Sequence, residues 1–242
     1  MSRAELKLQA KYLLKGRYTQ AILICLIPTL LSIGITYTGF LASTVYAMIH
    51  SSLLQNRSFD SVLSYSLDFS DLPSSCFVDL ISFYLLTAIF WTFINLSRGK
   101  KTQISLINDG FQTISRKHLI PLFCLYILRG IFLLGWSLLL IIPGVIKGYA
   151  YSQAEFVYYD LYKKTGERPD LLECLKRSEQ MMKGHKFEYF VLDLSFIGWQ
   201  ILCFLTLGLG YLWLNPYMYM TKAVFYNELA KKELLVDLED FR

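Results

Sequence analysis

Six apolar runs constrain this chain more than any other feature, because each has the length of a helix that crosses a lipid bilayer. They fall at residues 19–38, 77–96, 119–142, 145–162, 189–207 and 209–227. A helix rises 1.5 Å per residue, so about 20 residues cover roughly 30 Å of hydrocarbon. Backbone N–H and C=O groups in hydrocarbon must pair within their own segment, so each run predicts a helix. Composition agrees: 54% of the 242 residues are hydrophobic and 18% are charged, with a mean hydropathy of +0.39, far from a soluble globular average. The fourth run is the least apolar, since Lys147, Glu155 and Asp160 fall within it. Its charges also suit a buried helix outside the membrane.

Three amphipathic stretches precede spans, at residues 2–16, 102–115 and 170–183. In the first, Ser2 and Glu5 have capping-box spacing, and Arg3, Lys7, Lys11 and Lys15 recur every fourth position. Ile104, Ile107, Phe111 and Ile114 mark the second, and Leu171, Leu175 and Met182 the third. An apolar stripe of this kind suits a helix lying in the headgroup plane. Each stretch ends in a basic elbow: Lys15-Gly16-Arg17, Arg116-Lys117-His118 and Lys183-Gly184-His185-Lys186. Cations at these points suit lipid phosphate.

Charge predicts orientation, because Lys and Arg near span ends stay on the cytoplasmic side. With both termini inside, 21 of the 24 basic residues fall in cytoplasmic segments or at their borders, and only Arg57, Arg129 and Lys147 do not. The expected fold is therefore an all-α membrane protein forming one integral domain over residues 1–242. Six transmembrane helices pair into three hairpins, each preceded by an amphipathic cytoplasmic interfacial helix. Pro143-Gly144 and the region of Gly208 and Gly210 supply the two shorter outer turns, and a serine-rich external loop fills residues 50–76. Gly130, Gly135 and Gly198 are candidates for close helix approach. The net charge of +5 then reflects anionic headgroups at the cytoplasmic face and not nucleic acid.

Ionisable groups inside spans are the best candidates for function, since an unpaired charge at mid-bilayer costs about 2.5 to 3.5 kcal/mol on insertion scales. If the third and fourth spans form a hairpin that turns at Pro143-Gly144, Arg129 lies level with Tyr158 and about 4.5 Å in depth from Glu155. An Arg129–Glu155 ion pair is expected, with Asp160 the alternative. In the last hairpin Asp193 lies beside Lys222, which predicts a second pair. Both pairs suit either charge neutralisation that fixes helix register or a polar pocket for an ion, lipid headgroup or small solute. Asn215-Pro216 suggests a broken helix of the kind that lines such sites.

Catalysis has little behind it. Nucleophile-elbow, zinc-protease and phosphate-loop motifs are absent, and Cys25, Cys76, Cys124, Cys174 and Cys203 contain no C-x-x-C pair. No cofactor or metal is expected. His118 and His185 occupy equivalent places in two elbows, where a histidine pair could shuttle protons or bind metal, though a polar residue at a helix entry is common. Asp193 and Ser195, two residues apart, point to different sides of a helix.

The C-terminal half resembles the bacterial membrane proteins grouped as domain of unknown function 975. The matching features are Ser178, Met182-Lys183-Gly184, Leu194-Ser195-Phe196-Ile197-Gly198-Trp199, Pro216-Tyr217 and Phe225-Tyr226, with Arg3, Leu6, Lys7, Lys15 and Gly16 at the start. The resemblance implies a multi-pass protein of a bacterial cytoplasmic membrane, of Gram-positive type, and implies no reaction. The expected role is a non-enzymatic transport-related or accessory component acting on a lipid, small solute or membrane partner, with a homo-oligomer also possible. The alternative is an intramembrane enzyme using polar residues near the cytoplasmic interface.

Overall fold

The computed structural model describes residues 2–53, 72–101 and 103–239, and every regular element among them is helical. Helix α1 (Arg3–Leu14) starts at the expected capping box: Glu5 N–H donates to the Ser2 hydroxyl, and the Ser2 N–H donates to the Glu5 carboxylate at 2.8 Å. Gly16, at φ +79°, then turns the chain by 101° into the first half of α2 (Tyr18–Leu53). Glycine bears this left-handed conformation without the Cβ clash other residues meet. Helix α3 (Leu72–Ser97) follows. Most of the proposed 50–76 loop lies outside the described residues.

The stretch 102–115 differs from expectation. In place of one interfacial helix there are two short pieces, α4 (Leu106–Gly110) and a 3-10 turn at Gln112–Ile114. The first piece ends at Phe111, and its start is tied down by Asp109, whose carboxylate accepts the N-cap Ser105 N–H at 2.9 Å and pairs with Lys101.

Helix α5 (Arg116–Leu139) and α6 (Ile141–Ala150) are antiparallel neighbours. The reversal occurs at the extended residue Leu140 and not at Pro143-Gly144. Pro143 sits in the first turn of α6, where its missing N–H costs nothing. Gly144 marks the close approach, since a Cβ there would lie 2.6 Å from Ser137 Oγ. Gly130, Gly135 and Gly198 face open space instead.

The fourth predicted span, 145–162, is not one helix. The chain leaves α6 at Ala150, turns through Tyr151–Gln153 and restarts as α7 (Ala154–Thr165). Gly166 at φ +75° ends α7. Helix α8 (Leu171–Met181) begins at Asp170, whose side chain accepts the Leu172 N–H. Gly184, at φ +83°, then leads into α9 (Lys186–Leu205), and Gly208, at φ +85°, into α10 (Tyr211–Glu239).

Helices α3 and α10 form the centre. Ala88, Ile89, Trp91, Phe93 and Ile94 are at most 1% exposed. Helices α1 and α2 flank α10, and α7 closes the other side of α3. The apolar faces of α1 and α8 are covered by protein rather than offered to lipid: Leu6, Ala10 and Leu14 are buried, as are Cys174, Leu175 and Met182. Helices α5 and α9 do the opposite and expose Ile131, Leu134, Leu138, Trp199, Ile201 and Leu205.

Among the described residues, three helical segments are long and apolar enough to cross a membrane: Asp79–Ser97, Lys117–Leu138 and Lys186–Leu205. There are up to four if α1 and the first half of α2 count as one broken span. Six spans in three hairpins are therefore more than these helices display. Helix α10 has the length, with 29 residues, but Asn215, Lys222, Asn227 and Glu228 make it too polar.

Candidate functional site

The break between α6 and α7 leaves backbone groups that a continuous helix would pair. Ser178, fully buried on α8, satisfies two of them. Its hydroxyl donates to the Ala150 carbonyl at 2.7 Å and accepts the Gln153 N–H at 3.2 Å. One side chain thus makes the bend stable in an apolar interior, where an unpaired carbonyl or N–H is costly. Across the bend, the Trp91 indole N–H donates to the Glu155 carbonyl at 3.2 Å and fixes the first turn of α7 to α3.

A cavity of about 370 Å³ opens beside this bend, between α3, α5, α6, α7, α9 and α10. Its apolar wall includes Phe83, Leu86, Phe90 and Phe156; Ser152, Tyr149, Tyr189 and Thr87 add polar atoms. Four charges complete the lining. Arg129 Nη1 lies 2.5 Å from Glu155 Oε1, and Lys222 Nζ lies 2.8 Å from Asp193 Oδ1. The Lys222 ammonium also sits 5.4 Å from the centre of the Tyr189 ring, a cation–π contact. Two cations face two carboxylates, so the lined space is neutral but strongly dipolar.

Helix geometry explains the meeting. Glu155 is in the first turn after the break, which directs α7 back toward α5. Asp193 is seven residues into α9, about 10 Å from Lys186 along the axis, which places the cavity nearer the Lys183–Lys186 elbow than the Gly208 turn. Asp160, the alternative partner for Arg129, is engaged elsewhere: Arg98 holds both its oxygens, at 2.6 and 2.7 Å.

The remaining candidates separate. Lys15 and Lys117 are exposed, and Arg17 is half-buried; the Arg116 side chain lies outside the described residues. Lys183 and Gly184 are exposed, Lys186 is half-buried, and His185 Nδ1 contacts the Glu188 carboxylate of its own helix at 2.8 Å. His118 sits in an aromatic nest instead, edge-on to Trp91 and Tyr162 at 5.2 and 4.5 Å between ring centres. The two histidines are therefore not equivalent in structure. Asn215 does not line a broken helix, because α10 continues through Pro216; its amide donates to Thr29 of α2 at 2.9 Å. The Ser195 hydroxyl donates to the Leu192 carbonyl of its own helix at 2.5 Å.

Sequence reasoning missed the bend itself. Its signal is the run Tyr151-Ser152-Gln153, three polar-capable residues inside an apolar segment, with a partner serine 25 to 28 residues away.

The described residues are all-α, with three to four helices long and apolar enough to cross a membrane and a charged, neutralised pocket among them. Residues 137–233 match the model of a family described as protein of unknown function (DUF975). The resemblance read from Ser178, Met182–Gly184, Leu194–Trp199, Pro216-Tyr217 and Phe225-Tyr226 is shown over this segment, whereas Arg3, Leu6, Lys7, Lys15 and Gly16 lie outside it. The matched segment holds the bend, Glu155, Ser178, Asp193 and Lys222, but not Arg129. No curated protein and no solved structure matches the chain.

Proposed function

We propose that this chain is a multi-pass membrane protein that binds a small polar solute in the cavity between Arg129, Glu155, Asp193 and Lys222, as a transport-related or accessory component. The observation that carries this reading is the convergence of both ion pairs on one cavity beside a broken helix. Register-fixing alone needs each pair to neutralise itself, not to share an open space. A ligand with separated positive and negative groups, or a neutral one rich in hydrogen-bonding atoms, suits a lining of two cations and two carboxylates. Irregular backbone at membrane depth is tolerated where it lines a site, and Ser152 belongs to both bend and lining.

In this reading the chain crosses a bacterial cytoplasmic membrane six times, with α6 and α7 together forming a broken fourth crossing. Both termini face the cytoplasm, which the placement of 21 of 24 basic residues supports. Native mass spectrometry of the full chain, extracted gently from its own membrane, tests the pocket. A small polar mass retained by the wild type and lost in both Arg129→Gln and Asp193→Asn supports it. Retention of the same mass by folded samples of both variants, or no retained mass in the wild type, counts against it.

A further inference from the structure

A second cleft, of about 510 Å³, lies where the ends of α3 and α7 meet α8 and α10. Six cations line it, Arg98, Lys100, Lys163, Lys164, Arg177 and Lys231, against one carboxylate, Asp160. The carboxylate is already used. Arg98 grips it with two nitrogens, and the Tyr226 hydroxyl donates to it at 2.7 Å. Arg98 Nε donates to Asn227 Oδ1 at 2.7 Å, so this guanidinium is fixed by two helices other than its own.

The other charges are unevenly matched. Arg177 pairs with Glu173 at 3.0 Å and Lys231 with Glu228 at 3.0 Å, each on its own helix. Among the described residues, Lys100, Lys163 and Lys164 have no carboxylate within ion-pair distance, though Lys163 lies 5.5 Å from the centre of the Tyr159 ring. Three uncompensated ammonium groups around a concave space, above an immobilised arginine, create a positive field that like-charge repulsion alone would disperse. A field of this kind is relieved by an anion that offers several oxygens at once, as phosphate does.

We propose that this cleft is a binding site for a phosphate-bearing ligand, separate from the solute cavity and independent of how that cavity is used. Lys100, Lys163 and Lys164 supply the charge-assisted hydrogen bonds, and the Arg98–Asp160–Tyr226 cluster sets the floor. The phosphate comes from a soluble compound or from an anionic lipid headgroup, since the basic set suits either.

The test uses the full chain in detergent, titrated calorimetrically with sodium pyrophosphate and, in parallel, mixed with phosphatidylglycerol or phosphatidylcholine for native mass spectrometry. Four proteins are compared: wild type, Lys100→Ala/Lys164→Ala, Lys100→Arg/Lys164→Arg, and Lys15→Ala/Lys183→Ala. The last removes equal charge outside the cleft. The cleft alanine variant is expected to weaken binding by about tenfold or more, the loss of two charge-assisted hydrogen bonds. The arginine variant and the distant alanine variant keep it. That pattern with pyrophosphate assigns a soluble phosphate compound; that pattern with phosphatidylglycerol only assigns a headgroup. Binding of neither probe, or equal weakening by the distant variant, overturns the site.

Discussion

The Ser178 hydroxyl donates to the carbonyl of Ala150 from a helix 28 residues further along the chain, and accepts the N–H of Gln153 at the same time. Removing it leaves two backbone groups buried without partners. Ser178→Ala is therefore expected to destabilise the chain by about 1 to 3 kcal/mol. Thermal unfolding in detergent micelles measures this, and an unchanged midpoint would show that the bend needs no cap.

Glu155 is 4% exposed and its carboxylate meets Arg129. Glu155→Gln leaves the partly buried Arg129 cation without its carboxylate, whereas Glu155→Gln with Arg129→Gln removes both charges. Breaking a buried pair by deleting one partner costs about 3 to 5 kcal/mol. The double variant is expected to be more stable than Glu155→Gln alone, as read from melting midpoints of the three proteins. Strictly additive losses would mean the two groups do not interact.

Gly144 and Ser137 hold α5 and α6 together at the tightest approach. An added Cβ would meet Ser137 Oγ at 2.6 Å and its Cα at 3.2 Å, so Gly144→Ala is expected to destabilise by about 1 to 3 kcal/mol through overpacking. Ser137→Gly should recover part of that loss, because it removes the nearer contact and leaves the backbone one. Absence of any rescue in a melting series would place the strain elsewhere.

Cys174 tests the packing of α8. Burial, and then the charges of Glu173 and Asp170, push its thiol up to about 12. At pH 8 only about one thiol in ten thousand is then ionised, against roughly a quarter for a free cysteine. The folded chain should resist alkylation at Cys174, located by peptide mass mapping, and react once denatured. Rapid labelling of the native protein would show that α8 lifts from α7.

The contact between Asn215 and Thr29 is a polar bridge between α10 and α2. Interhelical hydrogen bonds of this type average about 0.6 kcal/mol and reach about 1.7. Thr29→Val is expected to cost an amount in this range, since Asn215 loses its partner. A loss well above it, measured by reversible unfolding in micelles, would mean Asn215 has a further role.

How much of this was legible follows the range of the interactions. Hydropathy marks α3, α5 and α9 because each is apolar over a whole crossing. Register counting places Arg129 within a turn of Glu155, and the long arginine side chain bridges that interval even though the reversal falls at Leu140 rather than at Pro143-Gly144. The bend at Tyr151–Gln153 was not legible, because its stability comes from Ser178 on another helix. The regular helix expected over 102–115 breaks at Phe111, inside apolar spacing that runs on past the break and gives no sign of it. Amphipathic stripes on α1 and α8 predict a buried face correctly and mistake its partner: periodicity records that a face is apolar, not whether lipid or protein covers it. Arg98 finds Asp160 62 residues away, beyond anything spacing reveals.

The interruption before α7 has a mechanical consequence. A continuous helix transmits a push along its whole length, whereas α7 is joined to α6 only through three turn residues and one serine. It carries Glu155 at one end and Asp160 five residues on, so the charged cavity and the basic cleft are both lined by the same short helix. Both pockets therefore depend on how this one helix is seated.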